Sequence, residues 1–441
     1  MIPGAAVLSP GEAAVLLFGV FFALLVLRVP VAFALALACL PPLLIEPRLS
    51  PFVLVQETFN AYNSFILLAV PFFLLTANLM NVGGITDRLV RLAKTMVGHR
   101  PGGLAQVNVV LSILFAGISG SSTADAASTS RLLIPAQVRQ GYGASFSAAV
   151  TAVSAVLAVI IPPSILMIVW GGILTTSIGG LFLAGIVPGL LLGGVQLATV
   201  HGLAVLRGYP IDTRASWGDL ARAFLRSVPA LTTPLIIIGG KVFGWFTATE
   251  SACIAVLYAT VLSVFVYREM DLSGLHRALL DTGRLASVAL FCVGTASAFG
   301  WLLAYYQIPK ILLAGVGGWG LGFAATGLFI AAAFLVVGLF LDAIPAIIIV
   351  GTMLQPLAQG VGMDPIHFAI IGIVSLAFGL VTPPYGLCLM IACHVAGIRV
   401  LDALKDVAIM LLPMLGVLLL LIVWPDLVLF LPRLISPELL R

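Results

Sequence analysis

Apolar runs follow one another along almost the whole chain, and this pattern limits the possible fold more than any other feature. Of the 441 residues, 61% are hydrophobic and only 9% are charged. An apolar run of about 18 residues or more is long enough to cross a lipid bilayer as a helix. Lipid offers the backbone no hydrogen-bonding partners, so each run is expected to be helical. The sequence therefore predicts an all-α polytopic membrane protein embedded in the lipid bilayer.

The positions of the basic residues predict how the chain is oriented. Lys and Arg collect on the cytoplasmic side of membrane proteins. If Arg28 is placed on that side, sixteen of the 21 basic residues, Arg28 included, are cytoplasmic. Both termini then lie on the opposite, periplasmic side. The net charge of only +4 gives no indication of nucleic-acid binding. The predicted crossings lie near residues 11–27, 29–45, 64–82, 144–176, 181–206, 229–246, 248–267, 285–306, 366–395 and 407–424.

Two apolar segments do not have the pattern of simple crossings. Residues 101–138 have basic residues on both flanks, so both ends belong on the cytoplasmic side. This segment is predicted to enter the membrane and return, as a re-entrant helical hairpin with residues 117–122 at its tip. Residues 321–361 are predicted to do the same from the outside, with residues 338–342 at the tip. Three stretches are predicted to be amphipathic helices on the cytoplasmic surface, with solvated loops as the alternative, namely 85–100, 212–228 and 271–284.

A spacing of 221 residues relates the two halves of the chain. The matching positions are Gly117 and Gly338, Pro135 and Pro356, Ser154 and Ser375, and the doublets Pro162-Pro163 and Pro383-Pro384. Each half thus has a hairpin tip, a proline, a serine and a helix broken at a proline doublet. Because the hairpins are predicted to enter from opposite sides, the halves form inverted repeats. Inverted repeats with discontinuous helices are typical of secondary transporters, which bind substrate and ions near the middle of the membrane.

The two hairpin tips and the two broken helices form the candidate binding site. A helix that begins within the membrane presents free N–H groups, which attract an anion such as a carboxylate. A helix that ends there presents carbonyl groups, which can replace the water around Na⁺ with the help of short hydroxyl side chains. The candidate substrate-binding residues are Ser119, Gly120, Ser121, Ser122, Asp125, Pro162, Pro163, Ser164, Thr382, Pro383 and Pro384. The candidate cation-binding residues are Gly117, Ser119, Ser154, Gly338, Asp342, Ser375, Gly379 and Thr382.

Structural explanations compete with ligand binding at these positions. Small residues allow helices to pack closely, and serines often cap helices. For the cluster at residues 119–123, ligand contact is the favoured interpretation. Asp125 and Asp342 are the acids nearest to the tips, and capping a helix and coupling an ion are both open for them. Glu250 is assigned a structural role, because Thr247 and Glu250 have the spacing of a capping box.

Longer motifs occur from one end of the chain to the other. They are Pro71–Asn78, Gly84-Ile85, Asn108–Ala127, Ile134–Ala136, Ile160–Ile165, Phe246–Glu250, Phe340–Asp342, Asp364–Phe368 and Gly379–Gly386. These motifs resemble the large membrane subunit of tripartite ATP-independent periplasmic (TRAP) transporters, which belong to the ion transporter superfamily. The resemblance covers nearly the whole chain.

The resemblance implies an elevator-type transporter of the inner (cytoplasmic) membrane, which uses Na⁺ to import an organic anion such as a C4-dicarboxylate or a sugar acid. It implies two partners, a small four-helix membrane subunit and a periplasmic binding protein that delivers the substrate. The expected segments are scaffold helices with an amphipathic arm (1–100), the first hairpin and broken helix (101–181), further scaffold helices (182–320), the second hairpin and broken helix (321–398) and a C-terminal helix (399–441). Residues 155–159, 375 and 377 depart from the usual family pattern by having fewer hydroxyl and amide groups, so Na⁺ and H⁺ both stay open as the coupling ion.

Two rival functions fit parts of the sequence. Gly117-Ile-Ser119-Gly120 matches a short motif of intramembrane serine proteases, with His394 as a candidate base. Catalysis needs the serine and the base within hydrogen-bonding distance. The predicted topology instead places Ser119 at a tip in mid-membrane and His394 near the cytoplasmic end of its helix. A stand-alone anion carrier or an ion antiporter of the same superfamily is the second rival, and no enzyme activity is expected.

Overall fold

The computed structural model describes residues 8–440, and every regular element in that range is helical. Seven described helical stretches are long and apolar enough to cross a membrane, and three of them (65–82, 248–266 and 343–360) join consecutive helical segments. One bent pair of helices raises the number to eight. Six shorter apolar helices of 10–17 residues accompany them. Four of these six lie where the hairpins and the second broken helix were predicted. The prediction of an all-α polytopic fold is confirmed.

The helices are numbered in chain order. The first five are α1 (Pro10–Val26), α2 (Val31–Ile45), α3 (Phe52–Tyr62), α4 (Ala69–Val82) and α5 (Ile85–Val97). The next six are α6 (Gly103–Ser119), α7 (Ser122–Arg139), α8 (Ala144–Ala155), α9 (Leu157–Ile160), α10 (Ile165–Ile173) and α11 (Ile178–Leu206). The middle of the chain forms α12 (Trp217–Val242), α13 (Ala248–Val261), α14 (Leu272–Tyr305) and α15 (Ile308–Gly317). The last helices are α16 (Phe323–Gly338), α17 (Ala343–Ala346), α18 (Thr352–Gly360), α19 (Pro365–Gly379), α20 (Leu387–Ala396), α21 (Val400–Val423) and α22 (Pro425–Ile435). Two π-helical segments, Leu262–Val266 and Ile347–Gly351, follow α13 and α17 directly.

Capping boxes set the starting points of several helices. At the start of α13, the Thr247 N–H donates to the Glu250 carboxylate at 2.7 Å, and the Glu250 N–H donates to the Thr247 hydroxyl at 3.2 Å. These reciprocal bonds satisfy donors that the first turn of a helix leaves free. The structural role predicted for Glu250 is confirmed. Ser216 and Asp219 start α12 in the same way.

Packing separates the helices into two groups. The outer bundle comprises α1–α5 and α12–α14, within residues 10–97 and 217–305. In it α13 packs along α4, α14 packs along α2, α3 and α4, and α12 packs against α5 and α13. The inner bundle comprises α6–α11 and α16–α22, within residues 103–206 and 323–435, and its helices pack mainly against one another. Contacts of α6 with α4, α5 and α12 join the two bundles, as do contacts of α11 with α12, of α10 with α4, and of α14 with α17 and the π-helical segment after it.

The two predicted broken helices form the core of the inner bundle. Every residue from Ile366 to Gly379 in α19 is buried, as is every residue from Phe146 to Ala155 in α8. A helix that is apolar on all sides belongs in the core of a helical protein. The interruptions that follow these helices therefore begin inside the protein, where irregular backbone can be satisfied.

The structure corrects the prediction for two of the three surface helices. The stretch 85–100 forms a separate helix, α5, with Leu89, Leu92 and Ala93 buried. The stretches 212–228 and 271–284 do not form separate helices. They belong to α12 and α14, which continue from them into the predicted crossings. The 34 residues of α14 span about 51 Å at 1.5 Å per residue, which exceeds the roughly 30 Å of the hydrocarbon core. A single helix thus provides the length for both a surface arm and a crossing.

Candidate functional site

The first predicted hairpin is a pair of antiparallel helices joined by a short turn. Helix α6 ends at Ser119, Gly120 adopts a left-handed backbone with φ of 60°, and Ser121 caps α7 by accepting from the Ala124 N–H. Far from the turn, the Gln137 side chain donates to the Leu104 carbonyl at 3.1 Å, which places the outer ends of the two legs together. The turn is shorter than predicted, because residues 117–119 still belong to α6.

The second predicted hairpin has the same arrangement with a longer turn. Helix α16 ends at Gly338, and residues 339–342 connect it to α17. Asp342 caps α17 by accepting from the Ala343 N–H at 2.8 Å. Gly327 near the start of α16 lies against Met363, which directly follows the second leg. The outer ends of these legs therefore also lie together.

Both proline doublets lie in the helix breaks where they were predicted. The first break separates α8 and α9, within residues 144–160, from α10, and the axes of these two parts differ by 42°. The second separates α19 from α20, and the Pro-Pro peptide bond in each break is cis. Proline has no N–H with which to continue a helix, which explains the ends of α9 and α19. At the first break Ser164 donates to the Val159 carbonyl at 2.7 Å and caps α10.

In each half, the hairpin tip contacts the helix break. The Ile165 N–H donates to the Gly120 carbonyl at 3.2 Å in the first half. The Tyr385 N–H donates to the Leu339 carbonyl at 3.0 Å in the second. The two tip–break contacts therefore use the same kind of backbone bond.

Glycine is required where the second tip touches the second break. A Cβ atom added to Gly379 would lie 2.6–2.8 Å from backbone atoms of Gly338, closer than real Cβ atoms approach. At the first contact, a Cβ on Gly120 would lie 2.8 Å from the Pro163 carbonyl oxygen. Residues without a side chain thus allow both backbones to meet.

The two halves also interlock with each other. Helix α20, after the second break, packs against α7 and α8 of the first half. Helix α9 packs against α19, and α10 contacts α17. The four interruptions therefore share one region of the inner bundle.

The hydroxyl groups predicted as ligands fall into two sets. Ser119 and Ser122 are buried, and within residues 8–440 neither hydroxyl has a hydrogen-bonding partner. The others already have partners. Ser154, Ser164, Ser375 and Thr382 donate to backbone carbonyls at 2.7–2.8 Å, and the Ser121 hydroxyl bonds to the Thr123 hydroxyl and accepts from the Ala124 N–H. Ser119 and Ser122 are thus the hydroxyls most available to a ligand.

The two predicted acids have different environments. Asp125 is 1% exposed, and in the described part of the chain its carboxylate accepts no backbone N–H, because Ser121 caps α7 instead. The Ser112 hydroxyl of the other leg lies beside it, and no hydrogen bond forms between the two groups. Asp342 does cap a helix. The capping explanation therefore applies to Asp342 and not to Asp125.

A polar group beside the first break was missed by the sequence reasoning. The Asn108 amide donates to the Thr151 hydroxyl at 2.6 Å, and the Ser154 hydroxyl lies 3.4 Å from the Asn108 side-chain oxygen. Asn108 thereby ties the first hairpin to the helix that precedes the first break. An amide inside an apolar run is itself a signal of function or of helix pairing, and it could have been used.

Comparison with known proteins then identifies the family. The family model described as "Tripartite ATP-independent periplasmic transporter, DctM component" matches residues 18–427. The chain belongs to this family. Its membership in the TRAP large permeases confirms the resemblance that the sequence motifs indicated.

Individual relatives agree along most of their length. The sialic acid TRAP transporter large permease protein SiaM of Vibrio cholerae is 35% identical over 418 residues, which cover 95% of this chain and 98% of that protein. The C4-dicarboxylate TRAP transporter large permease protein DctM of Pseudomonas aeruginosa is 37% identical over 344 residues, which cover 78% of this chain and 81% of that protein. The crystal structure of the Alcanivorax borkumensis YdaH transporter is similar in fold, with a TM-score of 0.61, 15% sequence identity and coverage of 85% of this chain and 87% of that one.

Family membership decides between the broad classes of function. The matched TRAP proteins are transporter permeases and not enzymes, so the protease alternative at Ser119 is wrong. Family and apolar helices together make this chain a polytopic inner-membrane transporter protein.

Proposed function

We propose that this TRAP large permease carries out sodium-coupled uptake of a small organic anion, such as a C4-dicarboxylate or a sugar acid. The observation that carries the proposal has two parts: each hairpin tip contacts the helix break of its own half and the two halves pack together, and the first tip holds buried oxygen atoms without hydrogen-bonding partners in the described chain. Inverted repeats with broken helices provide such sites in secondary transporters. The names of the relatives, which refer to sialic acid and to C4-dicarboxylates, support an organic acid as the substrate.

The substrate carboxylate binds where helices begin between the tips. Helix α20 starts at Leu387 with no side-chain cap. The Cys388 N–H of its first turn donates to the Leu380 carbonyl at 3.0 Å, which leaves the Leu387 and Leu389 N–H groups for an anion. It packs against α7, which starts at the first tip. Among the predicted substrate-binding residues, Ser121 caps α7, Ser164 caps α10, and Thr382 lies in the break between α19 and α20.

Sodium binds at the first tip, where the residues present fit a cation. The Ser119 and Ser122 hydroxyls and the Asp125 carboxylate offer oxygen atoms, and a bound cation would neutralise a buried charge that is otherwise costly. In the second half the predicted positions at Gly338, Asp342, Ser375 and Gly379 supply mainly carbonyl oxygens. Bound sodium adds the positive charge that draws the anionic substrate to the same place.

Transport proceeds by movement of the inner bundle against the outer bundle, in an elevator mechanism. The hairpins are re-entrant from opposite faces of the membrane, and both termini are periplasmic. Because α11 and α21 pack against the hairpins and broken helices, we assign them to the moving part. This assignment enlarges the transport domain beyond the segments 101–181 and 321–398 that were predicted from sequence.

Two partner proteins complete the transporter. The matched family is one component of a tripartite system, which supports a small four-helix membrane subunit and a periplasmic substrate-binding protein as the other two. The outer bundle and the small subunit together hold the moving part in the bilayer.

The test is sodium-dependent uptake in proteoliposomes that contain both membrane subunits and the cognate binding protein. The Ser119→Ala/Ser122→Ala double variant should raise the sodium concentration for half-maximal uptake about tenfold or more, since charge-assisted contacts are strong. Its melting temperature should stay unchanged, because neither hydroxyl makes a hydrogen bond in the described chain. Ser287→Ala is the matched control, since Ser287 is an exposed serine of α14. Wild-type sodium dependence in the double variant would exclude these ligands.

A further inference from the structure

Two cavities lie side by side along α7, away from the tips. The first, of about 450 Å³, lies between α7 and the junction of α4 with α5. The second, of about 660 Å³, lies between α7 and α20. Ala127 and Arg131 line both cavities. Arg131 therefore stands where the two cavities meet.

The Arg131 guanidinium is exposed and forms no ion pair within residues 8–440. Asp87 lines the first cavity with it, but the two side chains are not paired. Other exposed arginines, such as Arg100 and Arg139, are also unpaired in the described chain, and what distinguishes Arg131 is that it lines both cavities. Arg131 is thus a charged group that faces open space without a partner.

One face of α7 leads from the first tip to this arginine. Ser121, Ala124, Ala127 and Ser128 are all partly exposed, and Arg131 follows them at helical spacing. Ten residues separate Ser121 from Arg131, which corresponds to about 15 Å along the helix. The face between them carries only small side chains, so it leaves room for a solute that leaves the tip.

The linings of the cavities indicate which solute fits. The first is lined by the polar side chains of Asn81, Thr86 and Ser128 beside Arg131. Asn81 bonds to both of the others, which leaves the remaining lone pairs of these groups for a solute. A guanidinium binds a carboxylate through two parallel hydrogen bonds. Asp87 lies in the same cavity and would repel a second carboxylate. A cavity with one cationic side chain, Arg131, and one anionic side chain, Asp87, suits a monocarboxylate with hydroxyl groups better than a dicarboxylate.

From this arrangement we infer that Arg131 binds the carboxylate of the transported solute on its way from the tips to the cytoplasm, and that the site favours a polyhydroxylated monocarboxylate. The inference rests on the proposed function, because it takes the solute to be an organic anion. It adds a second anion contact, separate from the helix ends at the tips, and a preferred chemical class of substrate.

The experiment measures ligand-dependent thermal stability of the purified transporter with both membrane subunits. The probes are gluconate, a polyhydroxylated monocarboxylate, and succinate, a dicarboxylate. Arg131→Gln should raise the gluconate concentration for half-maximal stabilisation about tenfold or more, and Arg131→Lys about threefold, because lysine keeps the charge but not the paired geometry. Arg139→Gln is the control, since Arg139 is exposed on the same helix and lines neither cavity. Asp87→Asn should lower the succinate concentration for half-maximal stabilisation severalfold, because it removes the charge that repels the second carboxylate.

Other outcomes overturn the inference. A wild-type protein that gluconate does not stabilise, or an Arg131→Gln curve that matches wild type, would remove Arg131 from the solute pathway. If phosphatidylglycerol stabilises wild type but not Arg131→Gln while the gluconate curves coincide, Arg131 contacts a lipid headgroup instead. Sodium-dependent anion uptake by wild type, measured in the same preparation, separates a failure of this inference from a failure of the proposed function.

Discussion

The two hairpin tips share an architecture but use their polar residues differently. At the first tip a serine caps the next helix, which leaves Asp125 and two buried hydroxyls without backbone bonds. At the second tip Asp342 is itself the cap. The second tip has no hydroxyl side chain in residues 338–342, and a π-helical segment follows α17.

This difference shows what a repeat does and does not preserve. The tip, the break and the backbone bond between them occur in both halves, because they depend on glycine and proline positions. Within residues 8–440, a buried acid and buried hydroxyls without hydrogen-bonding partners occur at the first tip and not at the second, because side-chain chemistry can change without altering the backbone path. We therefore expect ligand binding by side chains to concentrate at the first tip, and binding by backbone groups at the second.

The largest expected effect concerns sidedness. Cysteines at Arg100 and Gln140, which are exposed at the two outer ends of the first hairpin, should both react with a membrane-impermeant maleimide only from the cytoplasmic side. Cysteines at Gly322 and Gly360, the corresponding ends of the second hairpin, should both react only from the periplasmic side. Replacing Cys253, the one described cysteine that is not buried, removes the background. Opposite labelling within either pair would refute that hairpin, and identical labelling of all four would refute the inversion.

The next effect concerns the glycine contact at the second tip. Gly379→Ala should destabilise the protein by about 3 kcal/mol and abolish uptake, because its Cβ would collide with backbone atoms of Gly338 that cannot move aside. Gly416→Ala in α21 is the control, since a Cβ there meets nothing within 4 Å. Alanine in a helix interior is favoured over glycine, so this control should gain up to about 1 kcal/mol. Both variants are compared with wild type by melting temperature and by uptake. Wild-type stability and uptake in Gly379→Ala would mean that the tip and the break are not in contact.

The sequence predicted the positions of tips and breaks because glycine, proline and the 221-residue spacing act on the backbone locally. It did not predict that α12 continues unbroken through Pro229, since neighbouring helices can satisfy backbone groups that a proline frees. Nor did it predict that α14 continues from its charged N-terminal segment into the crossing. It also left the two acids equivalent. Which of Asp125 and Asp342 caps a helix depends on whether a serine stands at the cap position, and that became visible only with the turn geometry.

The acids supply the smallest but most direct test of the difference between the tips. Asp125→Asn keeps the shape of the side chain and removes a buried charge, so stability should hold or rise while sodium-dependent uptake falls about tenfold. Asp342→Ala should cost about 1 kcal/mol of stability through the lost cap, and Asp342→Asn should restore most of it, because asparagine also caps helices. Melting temperature and uptake are measured on all three variants. If the first acid binds a ligand and the second caps a helix, Asp125→Asn loses uptake but keeps its melting temperature, whereas Asp342→Ala has a lowered melting temperature. A loss of stability in Asp125→Asn together with normal uptake would reverse the assignment, and the free hydroxyls at Ser119 and Ser122 would then need another explanation.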